Sequence, residues 1–252
     1  VTEYVNQNGE EGLPIVVPLM GGTINMIGSD AGLRNSQLSI SRKINDFMDK
    51  EKPLPFTERS LIRVTDESRE NPAYGFTWID GLLYNFLLEY YGQGAGIQVA
   101  SVMTMKMLVA LISNAESSAF SNVDSTVYMD SVKVPHEGHV LLIASGLRKF
   151  VFGFDIFAEK SEPGQTFNAV YLREEYLRKN RHTLALGLYR SLKSDPDGQF
   201  INRALTSLRV ERNAGYIIDG EIFRHEEPAE VLIEPGPGIR IISFQGEKSL
   251  LP

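Results

Sequence analysis

Pro18-Leu19-Met20-Gly21-Gly22-Thr23-Ile24-Asn25 closes a short apolar run, Leu13 to Leu19, with paired glycines and small polar residues. An uninterrupted apolar run of this length reads as a strand buried on both faces of a parallel sheet. Glycines at its end permit positive φ and let a ligand approach the backbone closely. Successive amides in such a turn form an anion-binding concavity, and Thr23 and Asn25 can add a hydroxyl and an amide. Gly21, Gly22, Thr23 and Asn25 are therefore candidate phosphate-binding residues, although a plain structural turn accounts for the glycines equally well. No Lys-Ser/Thr pair follows, so the stretch is not a Walker A loop, and it is not the dinucleotide fingerprint either.

Near the other end of the chain, Ile217-Ile218-Asp219-Gly220-Glu221 places two carboxylates on either side of a glycine at the end of a second apolar run. Gly220 permits a tight bend that brings both acids near one point. A positioned carboxylate can take the proton from an acceptor hydroxyl as a phosphoryl group is transferred. An Asp-Gly hairpin turn between two strands is the simpler reading of the same residues.

Between these islands the texture changes once. A helix is expected from about Ser36 to Met48, with Leu38, Ile40, Ile44, Phe47 and Met48 in one rough stripe, and Lys52-Pro53-Leu54-Pro55 ends it. After Pro55, short apolar or alternating runs recur: Ser60–Val64, Ala73–Ile79, Ser125–Val134, His139–Ser145, Phe150–Ile156, Thr166–Leu172, Leu205–Arg212, Tyr216–Asp219, Val231–Glu234 and Ile239–Phe244. Strands at this spacing imply an antiparallel sandwich or barrel. Helices interrupt them at about Tyr84–Tyr91, Ile97–Ser113 and His182–Lys193. The first residues, Val1 to Asn6, read as the middle of a helix without a cap. Arg173–Arg181 reads as a solvated surface stretch, and Asp195-Pro196-Asp197-Gly198 as a turn that lacks the remaining ligands of a calcium loop.

The 252 residues suffice for one large domain or two modest ones. A composition of 42% hydrophobic and 23% charged residues is that of an ordinary globular protein. The net charge of −7 argues against nucleic acid as a bulk electrostatic partner. There is no cysteine, which removes disulfides, thiolate zinc sites and cysteine nucleophiles. The longest apolar stretch, Ile97 to Ser113, is broken by Lys106 and is short for a bilayer span. It reads as a buried helix or as the wall of an apolar slot. No signal peptide is visible. His136 and His139 flank Glu137-Gly138 in what reads as a turn rather than a metal site, and His182 and His225 have no companion at ligand spacing. Trp78, Tyr84, Phe86, Tyr90 and Tyr91 read as core, and no Gly-x-Ser-x-Gly elbow is present.

Taken together, the two islands resemble the diacylglycerol kinase catalytic family, which includes bacterial lipid kinases and sphingosine kinases. The family's Pro-x-Gly-Thr-x-Asn turn is similar to Pro18–Asn25, with one residue inserted. Its Asp-Gly-Glu turn is similar to Asp219-Gly220-Glu221, and the strands that follow it resemble Val231–Pro235 and Gly238–Ile242. Val1–Asn6 resembles the helix after the family's Gly-Gly-Asp-Gly-Thr nucleotide loop, which is not in this sequence. The resemblance implies a partial α/β three-layer nucleotide domain of NAD kinase type over residues 1–57, and a C-terminal antiparallel β-sandwich lipid-acceptor domain over residues 58–252. It implies ATP and Mg2+ as cofactors, a diacylglycerol-like lipid as acceptor, and peripheral contact with the inner face of a membrane from the cytoplasm. By the same carry-over Glu221 is the general base, and Asp219 positions it or helps hold magnesium. Gly21, Gly22, Thr23 and Asn25 lie against the ATP phosphates. A homodimer is left open. Met26 stands where the family has Asp, and Ala169-Val170 replace an Asp-Gly that holds a structural magnesium, so no second metal site of that kind is expected. The competing expectations are a binding-only relative that has lost the chemistry, and a kinase of a small polar acceptor.

Overall fold

The computed structural model describes residues 1–10, 12–18, 26–33, 37–92, 94, 120, 122–149, 155–185 and 194–244. Its elements are α1 (Thr2–Asn8), α2 (Met26–Asp30), α3 (Gln37–Asp49), β1 (Phe56–Asp66), β2 (Ala73–Gly75), β3 (Thr77–Gly81), α4 (Leu82–Gly92), β4 (Thr126–Met129), β5 (Val132–Lys133), β6 (Leu141–Ser145), β7 (Phe167–Leu172), α5 (Glu174–Lys179), α6 (Arg181–Ala185), β8 (Phe200–Leu205), β9 (Leu208–Ile218) and β10 (Glu221–Ile242). The expected helix at Ile97–Ser113 lies outside the described residues. The three helices ahead of β1 precede an antiparallel, sheet-rich body, and the Lys52–Pro55 break falls between α3 and β1 as expected.

The strands follow one hydrogen-bonded path, β2-β1-β10-β9-β3-β6-β7-β8, with β4 on β9 and β5 on β4. Strand β9 makes the path fold over. Its first half pairs with β4, Leu208 to Met129 through Glu211 to Thr126, and its last residues pair with β3, Ile217 to Ile79 and Ile218 to Trp78. Between those halves Arg212 has φ +60, and the β10 register shifts on both sides of Ala229. Bulges of this kind bend a strand and sharpen its twist. The two halves of the sheet thereby face each other. Ile62, Val64, Val127, Met129, Leu208, Val210, Val231 and Ile233 meet Trp78, Leu142, Ala144, Phe167, Ala169 and Tyr171 in one buried core. This is the interior of the expected sandwich, with inward residues alternating along each strand.

Two further cores lie outside that interior. One covers the far face of β3, β6, β7 and β8 with α4, Phe120, Phe157 and Leu177 of α5. The other joins α1, α2 and α3, through Val5, Ile27 and Ile40, to Leu61, Tyr74, Phe76, Ile239 and Ile241. The N-terminal segment and the end of β10 also share hydrogen bonds. Val16 N donates to Arg240 O at 2.8 Å and Ile242 N donates to Val16 O at 3.0 Å, a parallel bridge.

The structure corrects several sequence expectations. Of the strand expected at Leu13–Leu19, the described residues form this one bridge, and Ile15 is exposed instead of buried. Leu208–Arg212 and Tyr216–Ile218 are one strand, as are Val231–Glu234 and Ile239–Ile242, because bulges rather than turns separate the apolar runs. Ala73–Ile79 is broken at Phe76, and Ser125–Val134 is a hairpin of β4 and β5. Asp155 and Ile156 are not in a strand. Strand β8, unassigned from sequence, forms an edge beside β7. The charged stretch after Arg173 forms α5, which buries Leu177.

Candidate active site

Strands β9 and β10 turn at Asp219-Gly220, with Ile218 opposite Glu221. Both turn residues have positive φ, +50 at Asp219 and +97 at Gly220. That is the requirement of a two-residue type I′ hairpin, and Asp-Gly is among the few sequences that meet it without strain. The hairpin reading and the acidic-site reading thus hold for the same residues.

The Asp219 carboxylate does not point away from the turn. It accepts the Phe76 amide at 2.9 Å and the Thr77 amide at 2.9 Å, and the Thr77 hydroxyl donates to it at 3.0 Å. The Asp219 amide donates back to Thr77 O at 3.2 Å. Gly75 is what lets the group in, since a Cβ there would lie 2.3 Å from Ile218 Cγ2 and 2.9 Å from Asp219 Oδ2. The residue as a whole is exposed at the turn, while its carboxyl group is enclosed by Gly75 and the Phe76 and Thr77 donors. That burial raises its pKa against the pull of the Phe76 and Thr77 donors, and the Glu221 charge adds to the rise. With four donor contacts on its two oxygens, Asp219 is an anchor for the turn more than a free metal ligand. Among the described residues no cluster of three or more His, Asp or Glu side chains is spaced to hold a metal ion.

Glu221 is exposed at the first position of β10. Its neighbour Ile222 packs into the outer core with Leu82, Leu83, Leu87 and Leu88 of α4 and with Met26. Met26 directly follows the candidate phosphate turn. It also packs, with Val17 ahead of that turn, against the N-terminal core that contains Phe76. Gly21, Gly22, Thr23 and Asn25 themselves lie outside the described residues.

Helix α1 meets the same place from another side. The Thr2 hydroxyl donates to Tyr74 O at 2.8 Å and accepts from Tyr74 N at 2.9 Å, replacing a strand partner at the β2 edge. Tyr74 OH donates to Glu10 at 3.0 Å. Burial raises the Tyr74 pKa, and Glu10 adds to it. The next residues along the chain, Gly75 to Thr77, hold Asp219.

Sequence reasoning missed two buried networks within the sheet. Asp80 accepts from Asn213 at 2.7 Å and pairs with His139 Nε2 at 3.1 Å, and His139 Nδ1 lies 2.8 Å from Ser125 Oγ. Ser125 and His139 are 0% exposed, so this Ser-His-Asp set has no route to a substrate and is structural. Asp66 accepts from Tyr216 at 2.8 Å and pairs with His225 at 2.7 Å. Neither pairing has a sequence signal, because the partners stand far apart in the chain.

No protein-family model matches the chain, and no curated protein matches it in sequence. Solved structures do match. Three from Bacillus anthracis str. Sterne, of proteins assigned as diacylglycerol kinases, superpose with TM-scores of 0.61, 0.54 and 0.52. Their identities to this chain are 12%, 13% and 15%. The matches cover 92%, 94% and 92% of this chain and 69%, 73% and 70% of theirs. This chain has the diacylglycerol kinase fold. Asn168, where the resemblance expects a metal-binding turn to begin, is buried in β7 and donates to Leu147 O at 2.9 Å. Ala169 and Val170 follow it in the same buried strand.

Proposed function

We propose that this protein is an ATP-dependent lipid kinase that transfers the γ-phosphate to the hydroxyl of a diacylglycerol-like acceptor. The observation that carries the proposal is the placement of Glu221, an exposed carboxylate whose neighbour Ile222 shares an apolar cluster with the α4 leucines and Met26. An acceptor with acyl chains finds apolar surface there, and its hydroxyl can reach the acid. A small polar acceptor has no use for that surface.

In the proposed reaction the Glu221 carboxylate takes the hydroxyl proton as the acceptor oxygen bonds to the γ-phosphorus and the bond to the ADP oxygen breaks. Asp219 fixes the hairpin so that Glu221 holds its place, which is a positioning role. Gly21, Gly22, Thr23 and Asn25 would cradle the phosphates, and Mg2+ bound with the nucleotide would neutralise phosphate charge. Residues 1–57 then belong to the nucleotide half and residues 58–252 to the acceptor half. Among the described residues no helix is long and apolar enough to cross a membrane. Contact with a cytoplasmic membrane face is accordingly proposed as peripheral.

The test incubates the full-length protein with γ-labelled ATP and either diacylglycerol in mixed micelles or a polar lipid extract. Label in an organic-extractable product supports the proposal. Label confined to a water-soluble product, or no label despite ATP binding, contradicts it. A second reading, ATP binding without transfer, is favoured by Met26, whose apolar packing occupies the place where the resemblance expects an acid.

A further inference from the structure

A cavity of about 230 Å³ opens between β1, α2 and the loops around Arg148 and Ala158, lined by Asp30, Arg59, Arg148, Lys149, Asp155, Phe157, Ala158, Glu159 and Lys160. Its floor is a buried ion pair. Asp30 and Arg59 are 1% and 5% exposed, and Arg59 Nε donates to the Asp30 carboxylate. The backbone amides of Arg148 and Lys149 also donate to Asp30, at 2.9 and 2.7 Å. The Asp30 charge is therefore consumed in fixing Arg59 and the 148–149 backbone. That backbone carries two cations to the rim, where Lys160 is a third, and none of the three side chains has an ion pair or side-chain hydrogen bond with a described residue. Of the two remaining acids, Glu159 already accepts the Ala204 amide at 2.8 Å.

We propose that this cavity binds a small phosphate-class anion, either a free phosphate monoester or the monoester headgroup of a lipid. Unpaired cations on a fixed backbone are suited to phosphate oxygens, and an arginine can engage two of them at once. The volume lies below the roughly 300–1,000 Å³ typical of sites for larger ligands, which suits a headgroup-sized anion and not a nucleotide. The cavity meets α2 at its last residue, Asp30. The inference stands apart from the lipid kinase reading.

The test titrates the full-length protein, saturated with ATP, with glycerol 3-phosphate, and compares it with the double variant Arg148→Ala/Lys149→Ala. Alanine keeps both backbone amides, so the Asp30 contacts and the fold are retained. Saturable binding that weakens at least about tenfold in the double variant, with ATP affinity unchanged, supports the proposal for a free monoester. If glycerol 3-phosphate does not bind, sedimentation with phosphatidylcholine vesicles containing phosphatidic acid, compared with phosphatidylcholine alone, tests the headgroup source. Phosphatidic acid-dependent binding that the double variant loses supports that form. No binding in either arm, or equal binding by the double variant, overturns the proposal. Kinase activity is not a readout, and Glu221→Gln should bind the anion as the unmodified protein does.

Discussion

The Asp219 carboxylate accepts the Phe76 amide at 2.9 Å, tying the hairpin between β9 and β10 to the break between β2 and β3. Asp219→Ala leaves that donor and both Thr77 donors without their acceptor and puts alanine at positive φ. A loss of about 2–3 kcal/mol is expected. Asp219→Asn keeps an oxygen acceptor and tolerates the backbone conformation, so it should cost clearly less. Urea unfolding of the two variants measures the difference, and equal losses would remove the anchoring role.

Gly75→Ala should displace Asp219 without altering any acid. Its Cβ would fall 2.3 Å from Ile218 Cγ2 and 2.9 Å from Asp219 Oδ2, both far inside contact distance. Overpacking of this kind costs about 1–3 kcal/mol. Phosphate transfer should fall further than stability alone explains, which a rate measurement well below the melting temperature would reveal.

Thr2 is expected to matter through its hydroxyl. Thr2→Val removes both hydrogen bonds to the Tyr74 backbone, leaving a part-buried amide and carbonyl unpaired at a cost of about 1–3 kcal/mol. Thr2→Ser keeps the hydroxyl and should restore most of that loss. Faster hydrogen exchange at Tyr74 in the valine variant alone is the direct check.

Much of this arrangement was legible in the sequence, and the part that was not has a common cause. The sandwich could be read because Ile62 and Val64 flank Arg63, Leu208 and Val210 flank Arg209, and Val231-Leu232-Ile233 is a short apolar run, patterns that survive whatever the strand pairs with. The lengths of β9 and β10 could not be read. Arg212-Asn213-Ala214-Gly215 and Pro228, Pro235 and Pro237 look like strand ends, yet they sit inside continuous strands that bend and bulge. Asp219 and Glu221 were found as a motif, but the partners of Asp219 are mostly backbone amides far upstream, which no residue pattern marks. The same holds for His139 with Asp80 and His225 with Asp66.

Acid should weaken the fold through Asp66. Burial pushes its carboxyl up, but hydrogen bonds from His225, Ser68 and Tyr216 together outweigh that and hold its pKa below the ordinary 3.8. A depressed folded-state pKa gives stability that is present above the unfolded value and lost as pH falls through the folded one. Asp219, with its pKa raised, acts in the opposite direction: its contribution falls as pH rises from 3.8 through its folded value. Unfolding free energies measured from pH 7 down to about 2.5 should therefore fall less steeply for Asp66→Asn than for the unmodified protein. Asp219→Asn should make the acid loss steeper.

The most direct measurement compares Glu221→Gln with the unmodified full-length protein for ATP binding and for transfer of labelled phosphate to diacylglycerol. Glutamine keeps the shape and removes the base, so transfer should drop by about 10²–10⁴-fold while ATP affinity and melting temperature stay unchanged. Transfer to the lipid at an undiminished rate would contradict the account.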